Sequence, residues 1–307
     1  MVNFRFHLVS LTAVFFALAL GVTVGATVLE RTTVDTLESQ VNRVEARLDE
    51  TDRLNEQLRG ELQLRDSFGE QIGDRLLEGD LVGIPIALIS VEGVNRGAVD
   101  ALRGTLVAAG ADVDTVVAFT AKLALAEEDH ARELAELMEL TATRPDLLRR
   151  QLFAALSTSW TSGTAHDLLV LLSDAGFAQY DRALEGAEEL EVALPRRFVV
   201  VSDDAAEVTN DDLGVPFTEE LARDGERLVL AAEAGEVNGD GSFSADFVSA
   251  LRTRESVAGV IATVDNVGTF IGRTAAVMAL VDLGAGRLGH YGRGDGAETL
   301  VPPSPTS

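Results

Sequence analysis

Few residues in this chain are equipped for chemistry. Its 307 residues include four histidines, three methionines and no cysteine. Soft and borderline metal ions are held by clusters of His, Cys and Met. Here His7, His130, His166 and His290 stand apart from one another and from Met138 and Met278, with no pair at helical or hairpin ligand spacing. Only His290 has a distinctive neighbour, Tyr291. The absence of cysteine removes disulfides, thiolate metal sites and cysteine nucleophiles together, and it suits an extracytoplasmic domain that avoids unpaired thiols. No GxSxG, GKS/T or HExxH pattern occurs, so no nucleophile, phosphate cradle or zinc-bound water is signalled. The expectation is a protein that binds and does not catalyse, with no cofactor.

The remaining motifs read more simply as structure. Gly284-Ala285-Gly286-Arg287-Leu288-Gly289 spells GxGxxG, but a dinucleotide fingerprint follows a strand and opens a helix, whereas this one follows a helix. Glu236 to Ser242 resembles the front of a calcium loop, yet the position that needs a bidentate carboxylate is Phe247. The pairs Asp203-Asp204 and Asp211-Asp212 lack a nearby base and read as solvated loops at strand ends. Arg293-Gly294-Asp295 matches an adhesion tripeptide that is common by chance.

The elements that must position these residues begin with an anchor. From Leu8 to Leu29 there is no ionisable residue, and at about 1.5 Å per residue this helix reaches roughly 33 Å, enough to cross a hydrocarbon core. Ala13, Ala17, Gly21 and Gly25 recur every fourth residue and lay small side chains along one face, with Gly21 to Gly25 a GxxxG pairing pattern. A cleaved secretory signal ending near Val24-Gly25-Ala26 competes with a retained anchor. The thin basic n-region, Arg5 plus the amino terminus, and the long apolar run favour retention. Positive charge at the amino end places it inside, with the rest of the chain translocated.

Directly afterwards Val34, Leu37, Val41, Val44 and Leu48 alternate three- and four-residue steps that continue through Thr51, Asn55, Leu58 and Leu62. These are a and d positions of a parallel two-stranded coiled coil, with Asn55 at a to pin register. Arg65 falls on d and weakens the seam; Leu64, Phe68, Ile72 and Leu76 then recur every fourth residue, which suits packing onto the following domain. The other reading is one amphipathic helix lying on its own domain.

Beyond Gly79 short apolar runs alternate with helical stretches: strands at Ile84–Ser90, Asp114–Phe119, Arg197–Ser202, Leu228–Ala231 and Val257–Val264, and helices at Arg96–Ala109 and Thr269–Leu283. Asp167–Leu172 fits either type. This alternation indicates a mainly parallel sheet between two helical layers. The predicted fold class is α/β: an N-terminal transmembrane helix and coiled coil followed by a mainly parallel three-layer α/β domain. The predicted segments are 1–7 cytoplasmic, 8–29 transmembrane, 30–78 coiled coil, 79–291 extracytoplasmic domain and 292–307 a disordered tail. Fifty acidic against 25 basic side chains give a net charge of −25, which argues against nucleic acid as a partner. The membrane, a second copy of the chain and an envelope protein are the expected partners.

Two ordered stretches resemble the actinobacterial copper transporter (MctB) family. Phe6-His7-Leu8-Val9-Ser10-Leu11 through Gly21 is similar to the family's xHxVSLxAVFLALxxG anchor. Ala262-Thr263-Val264-Asp265-Asn266, Gly272-Arg273, Ala279-Leu280 through Gly284, and Gly289-His290-Tyr291-Gly292 are similar to its C-terminal TVDD…GR…ALxxLxxG…GHYG signature. The resemblance covers essentially the whole chain. It implies copper transport or homeostasis at the cell envelope, with copper as the only metal suggested. It also implies, for some members, a part in cell separation with a membrane partner and control of peptidoglycan hydrolases through the coiled coil. It marks Asp265, Gly272, Arg273, Gly289, His290, Tyr291 and Gly292 as motif positions. From the residues themselves, Asp265 is expected to cap the last helix, the glycines to shape its exit and Tyr291 to close the sheet edge.

Overall fold

The computed structural model describes residues 4–141, 144–182, 195–223, 225–235 and 245–303, with the side chains at 4, 5, 26–39, 65, 66, 70, 71, 74 and 76 outside that description. The chain divides into two compact units, Met1–Arg65 and Asp66–Ser307.

The first unit is one helix. Helix α1 runs unbroken over 74 residues, Phe4–Leu77, and within it Phe6–Gly25 is long and apolar enough to cross a membrane, with mean hydropathy 2.2. Two hydroxyls in this span are satisfied internally: Thr12 Oγ1 donates to the Leu8 carbonyl and Thr23 Oγ1 to the Ala19 carbonyl, each at 2.8 Å. Such i−4 bonds lower the cost of placing threonine in lipid. Farther on, Val41, Val44, Leu48, Leu58 and Leu62 are all about half exposed, Leu48 at 58%.

The second unit takes the last three turns of α1, so it begins earlier than the sequence boundary at Gly79 suggests. The packing face also differs from the expected one. Leu64 and Phe68 stay 72% and 64% exposed, Ile72 is only partly buried, and the Leu76 side chain lies outside the described residues. Contact is made instead by Gly69 and Gly73, whose missing side chains leave room for the Phe270 ring, and by buried Leu77. A spacing-of-four count over large side chains cannot see a contact made by two hydrogens.

Strands β1 (Pro85–Val91) and β2 (Asp112–Phe119) flank α2 (Arg96–Ala108). Helices α3 (Glu128–Leu137), α4 (Pro145–Ser162) and α5 (Ala165–Asp174) lead to β3 (Ala178–Arg182) and β4 (Arg197–Ser202). Then follow α6 (Gly214–Ala222), β5 (Leu228–Glu233), α7 (Asp246–Arg252), α8 (Glu255–Ala258), β6 (Ala262–Val264), α9 (Phe270–Gly284) and β7 (His290–Tyr291). The sheet order is β3-β2-β1-β4-β5-β6-β7, parallel throughout except for the antiparallel β2–β3 pair. Strands β1, β4 and β5 are buried at every residue but the first. Burial on both faces demands a helical layer on each side.

Local chemistry explains the elements. Asn95 caps α2 by accepting from Ala98 N–H, and Ala98, Val99, Leu102 and Leu106 give the helix one buried stripe. Helix α9 is apolar nearly all round, with Ala275, Ala276, Val277, Ala279, Leu280 and Leu283 buried, as a helix enclosed by its domain requires. Edge-to-face contacts join Phe119 and Phe153 to Phe217, and Trp160 to Phe198.

Asp167–Leu172 lies in a helix. The run Val257–Val264 is a strand only over its last three residues, because α8 occupies its start. The tail expected from 292 is in place to Pro303: Gly292 N–H donates to Thr299 O (2.9 Å), Glu298 N–H to His290 O (2.7 Å), and Tyr291 bridges Thr299. Its prolines misled composition-based reading, since the segment is fastened by backbone bonds that precede them. Residues 304–307 lie outside the described residues.

Candidate functional site

In open parallel sheets ligands meet the carboxyl ends of the strands where the strand order reverses, here between β1 and β4. That crevice is filled by its own loops. Glu207 N–H donates to Glu92 O at 2.8 Å, Asn95 N–H to Asp203 Oδ2 at 3.1 Å and Ala205 N–H to Asp203 Oδ1 at 2.9 Å. Gly93, at φ +95°, passes so close to Ala205 O that a Cβ would collide with it. Asp203 is therefore buried and bonded, not a solvated loop residue. Asp204, Asp211 and Asp212 are exposed as expected, Asp212 pairing with Arg149.

Along the same edge one acid stands at the end of each of four strands: Glu92 after β1, Asp203 after β4, Glu233 closing β5 and Asp265 after β6. Every one accepts backbone N–H groups. Ala121 N–H donates to Glu92 Oε2 at 2.8 Å. Phe247 and Val248 N–H donate to Glu233 at 3.3 and 3.0 Å. Arg293 and Gly294 N–H donate to the two Asp265 oxygens, both at 2.8 Å. Burial pushes the Glu233 carboxyl up to about 8 against those two amides, with the Asp246 and Asp203 charges adding to the rise, so this side chain is neutral at pH 7.

The densest cluster surrounds Asp265, which is fully buried. Arg252, the last residue of α7 and also buried, donates from Nη1 to Asp265 Oδ2 (2.9 Å) and Asp295 O (3.0 Å). Its Nε donates to Thr263 Oγ1 (2.8 Å) and its Nη2 to Tyr291 O (2.8 Å). Thr263 Oγ1 lies 3.0 Å from His290 Nδ1. Since that hydroxyl accepts from Arg252, its own proton is free to go to Nδ1. Burial and then the Arg252 charge hold His290 below the ordinary histidine range, against the Glu298 charge. His290 is thus a neutral histidine held at Nδ1 by Thr263.

The motif residues are brought together unequally. Asp265, His290, Tyr291 and Gly292 meet around Arg252. Gly292, at φ +129°, leaves the space that the Asp265 carboxylate fills, and Gly289 clears the Tyr291 hydroxyl. Gly272 instead lies against Asn266 O, and Arg273 donates to Gly268 O at 3.1 Å, both bracing the loop before α9. Asp265 does not cap that helix. Thr269 does, accepting Gly272 N–H at 3.1 Å, because Asp265 is committed to the 293–294 turn. Burial also pushes the Tyr291 hydroxyl up, aided by the Asp282 and Glu298 charges.

Arg252 and Glu233 were not singled out from sequence. A usable signal existed: the runs ending Ser90-Val91-Glu92, Ser202-Asp203, Ala232-Glu233 and Val264-Asp265 each close an apolar strand on an acid. The calcium-like loop at 236–242 lies outside the described residues. The GxGxxG run forms the turn between α9 and β7, with Gly286 at φ +74°.

Copper is poorly served by this cluster. The Asp265 oxygens are filled by N–H groups and a guanidinium, and His290 Nδ1 is taken by the Thr263 hydroxyl. Among the described residues no three His, Asp or Glu side chains converge as metal ligands do.

The residues expected to pair two copies all lie on α1. Ala13 and Ala17 line a shallow apolar groove with Val9, Thr12 and Phe16, and a Cβ at Gly21 or Gly25 would meet open space. Val41, Val44, Leu48, Asn55, Leu58 and Leu62 are exposed, and the Val34 and Leu37 side chains lie outside the described residues.

The whole chain has relatives. Copper transporter MctB of Mycobacterium tuberculosis is 28% identical over 325 residues, covering 98% of this chain and 99% of the relative. The protein of the same name from Mycobacterium leprae is 26% identical over 322 residues, covering 99% and 100%. A family model described as copper transport outer membrane protein, MctB, matches residues 1–302, and the chain therefore belongs to the MctB family.

Proposed function

We propose that this protein is a single-span envelope scaffold. It is held in the cell membrane with its amino end inside, paired through α1 into a parallel dimer, and carries an extracytoplasmic α/β domain that binds other envelope components without catalysing a reaction. The observation that carries this reading is the continuity of α1 from an apolar span into a stretch whose apolar heptad positions are bare. A copper transport or homeostasis role, the activity in the relatives' names, then runs through a partner protein and not through a metal relay of this chain's own. Its supports are the cysteine-free sequence and the engaged state of His290. Control of peptidoglycan hydrolases in cell separation is a second task that such a stalk suits.

Polar replacement of Leu37, Val44 and Leu58 tests the scaffold: function is lost while the domain stays folded, and a fully active triple variant refutes it. Calorimetric titration of copper into the full-length protein in detergent tests the rest. Absence of tight binding is expected, and tight binding abolished by His290→Ala would restore direct copper handling.

A further inference from the structure

The base of α1 places two demands on one helix face. Counted from Val34, the a positions are Val41, Leu48, Asn55 and Leu62, and the next is Gly69, 35 residues or five heptads on; the following d position is Ile72. Through Leu62 this face is bare. At Gly69 it is taken: the Phe270 ring lies where side chains at Gly69 and Gly73 would stand. In a coiled coil an a residue meets a partner helix whose side chains interlock with its own. Here the side chain seated on the face belongs to α9 of the same chain.

We infer that Phe270 stands in for the second helix at Gly69, so that pairing of two copies ends after Leu62 and the chain's own domain competes with further pairing for one surface. The inference rests on the dimer proposed above. Glycine supports it twice. At an a position it offers a partner helix almost nothing to pack against and weakens the helix. Two glycines one turn apart on the same side let a ring approach the backbone closely. The competition also reaches the motif cluster. Phe270 is the first residue of α9, whose opening turn is fixed by Thr269 and by the approach of Gly272 to Asn266, the neighbour of Asp265. Loss of the Phe270 contact would loosen the helix that this loop braces.

The cysteine-free chain makes the test direct. Single cysteines replace Val44, Leu58, Leu62 or Ile72 in the full-length protein in detergent, and disulfide-linked dimer is measured after mild oxidation. Cross-linking at 44, 58 and 62 with about a tenfold drop at 72 is expected for a seam that stops. Equal cross-linking through 72 overturns the inference and leaves the dimer standing. No cross-linking anywhere removes the dimer and the inference with it. In Phe270→Ala, cross-linking at 72 should rise toward the level at 62; Phe270→Leu, which keeps most of the bulk, should rise less. The fluorescence of Trp160, the single tryptophan and a buried one, reports whether each variant keeps its core. A folded Phe270→Ala chain that stays unlinked at 72 also overturns the proposal.

Discussion

The stretch of α1 from 40 to 64 and the crest around Asp265 treat their surfaces in opposite ways. On the helix, valines and leucines at heptad spacing stand in solvent, with nothing within their own unit to cover them. At the crest, a buried guanidinium, a buried carboxylate, a threonine and a histidine leave hardly a bond unmade. A region that satisfies its own groups has little further free energy to gain from a partner, whereas bare apolar surface gains about 25 cal/mol for each Å² it hides. The motif residues, which attract attention first as a candidate metal site, therefore serve the integrity of the domain. The plain repeat in the stalk is the surface proposed above for a second copy.

Four measurements would break or sharpen that contrast. The largest effect is expected at Asp265. Its replacement by Ala strands the buried Arg252 and frees the 293–294 turn, costing about 4 kcal/mol, read as a lower denaturant midpoint; a loss under 1 kcal/mol would contradict the self-contained crest. Next comes Glu233, whose carboxyl is raised from 4.5 to about 8. The unfolded chain ionises first, so stability falls as pH rises from near 5 to 8, by about 3 kcal/mol, and levels off above. Glu233→Gln should flatten that slope, and an unchanged slope would mean that another group sets it. A smaller loss, about 1 kcal/mol, is expected for Thr269→Ala, which removes the α9 cap. The smallest belongs to the stalk: polar residues at Val44 and Leu58 should leave the domain's melting unchanged while abolishing dimer in sedimentation.

Much of the frame was legible because it depends on long apolar runs. The span, β1, β4 and α9 declare themselves by composition, and α2 as the helical stretch between two apolar runs. Less was legible where short segments decide. Strand β3 follows a helix through a tight turn and carries Gln179, Tyr180 and Asp181, so no apolar run marks it. Strand β7 has two residues. Within the cluster, Asp265, His290, Tyr291 and Gly292 were visible as a motif, but their roles were not, since Arg252, which joins them, belongs to none of the motif stretches. The Gly69–Phe270 contact escaped because absence of a side chain is the signal.

The fastening of residues 298–299 along β7 has a consequence for how the chain tolerates being cut. Strand β7 is the last in the sheet, and without that cover its outward amide and carbonyl groups would be left unpaired, an open template for strands of other molecules. Truncation before Thr299, or proteolytic clipping within the 293–297 turn, is expected to convert a protected border into an aggregation-prone one.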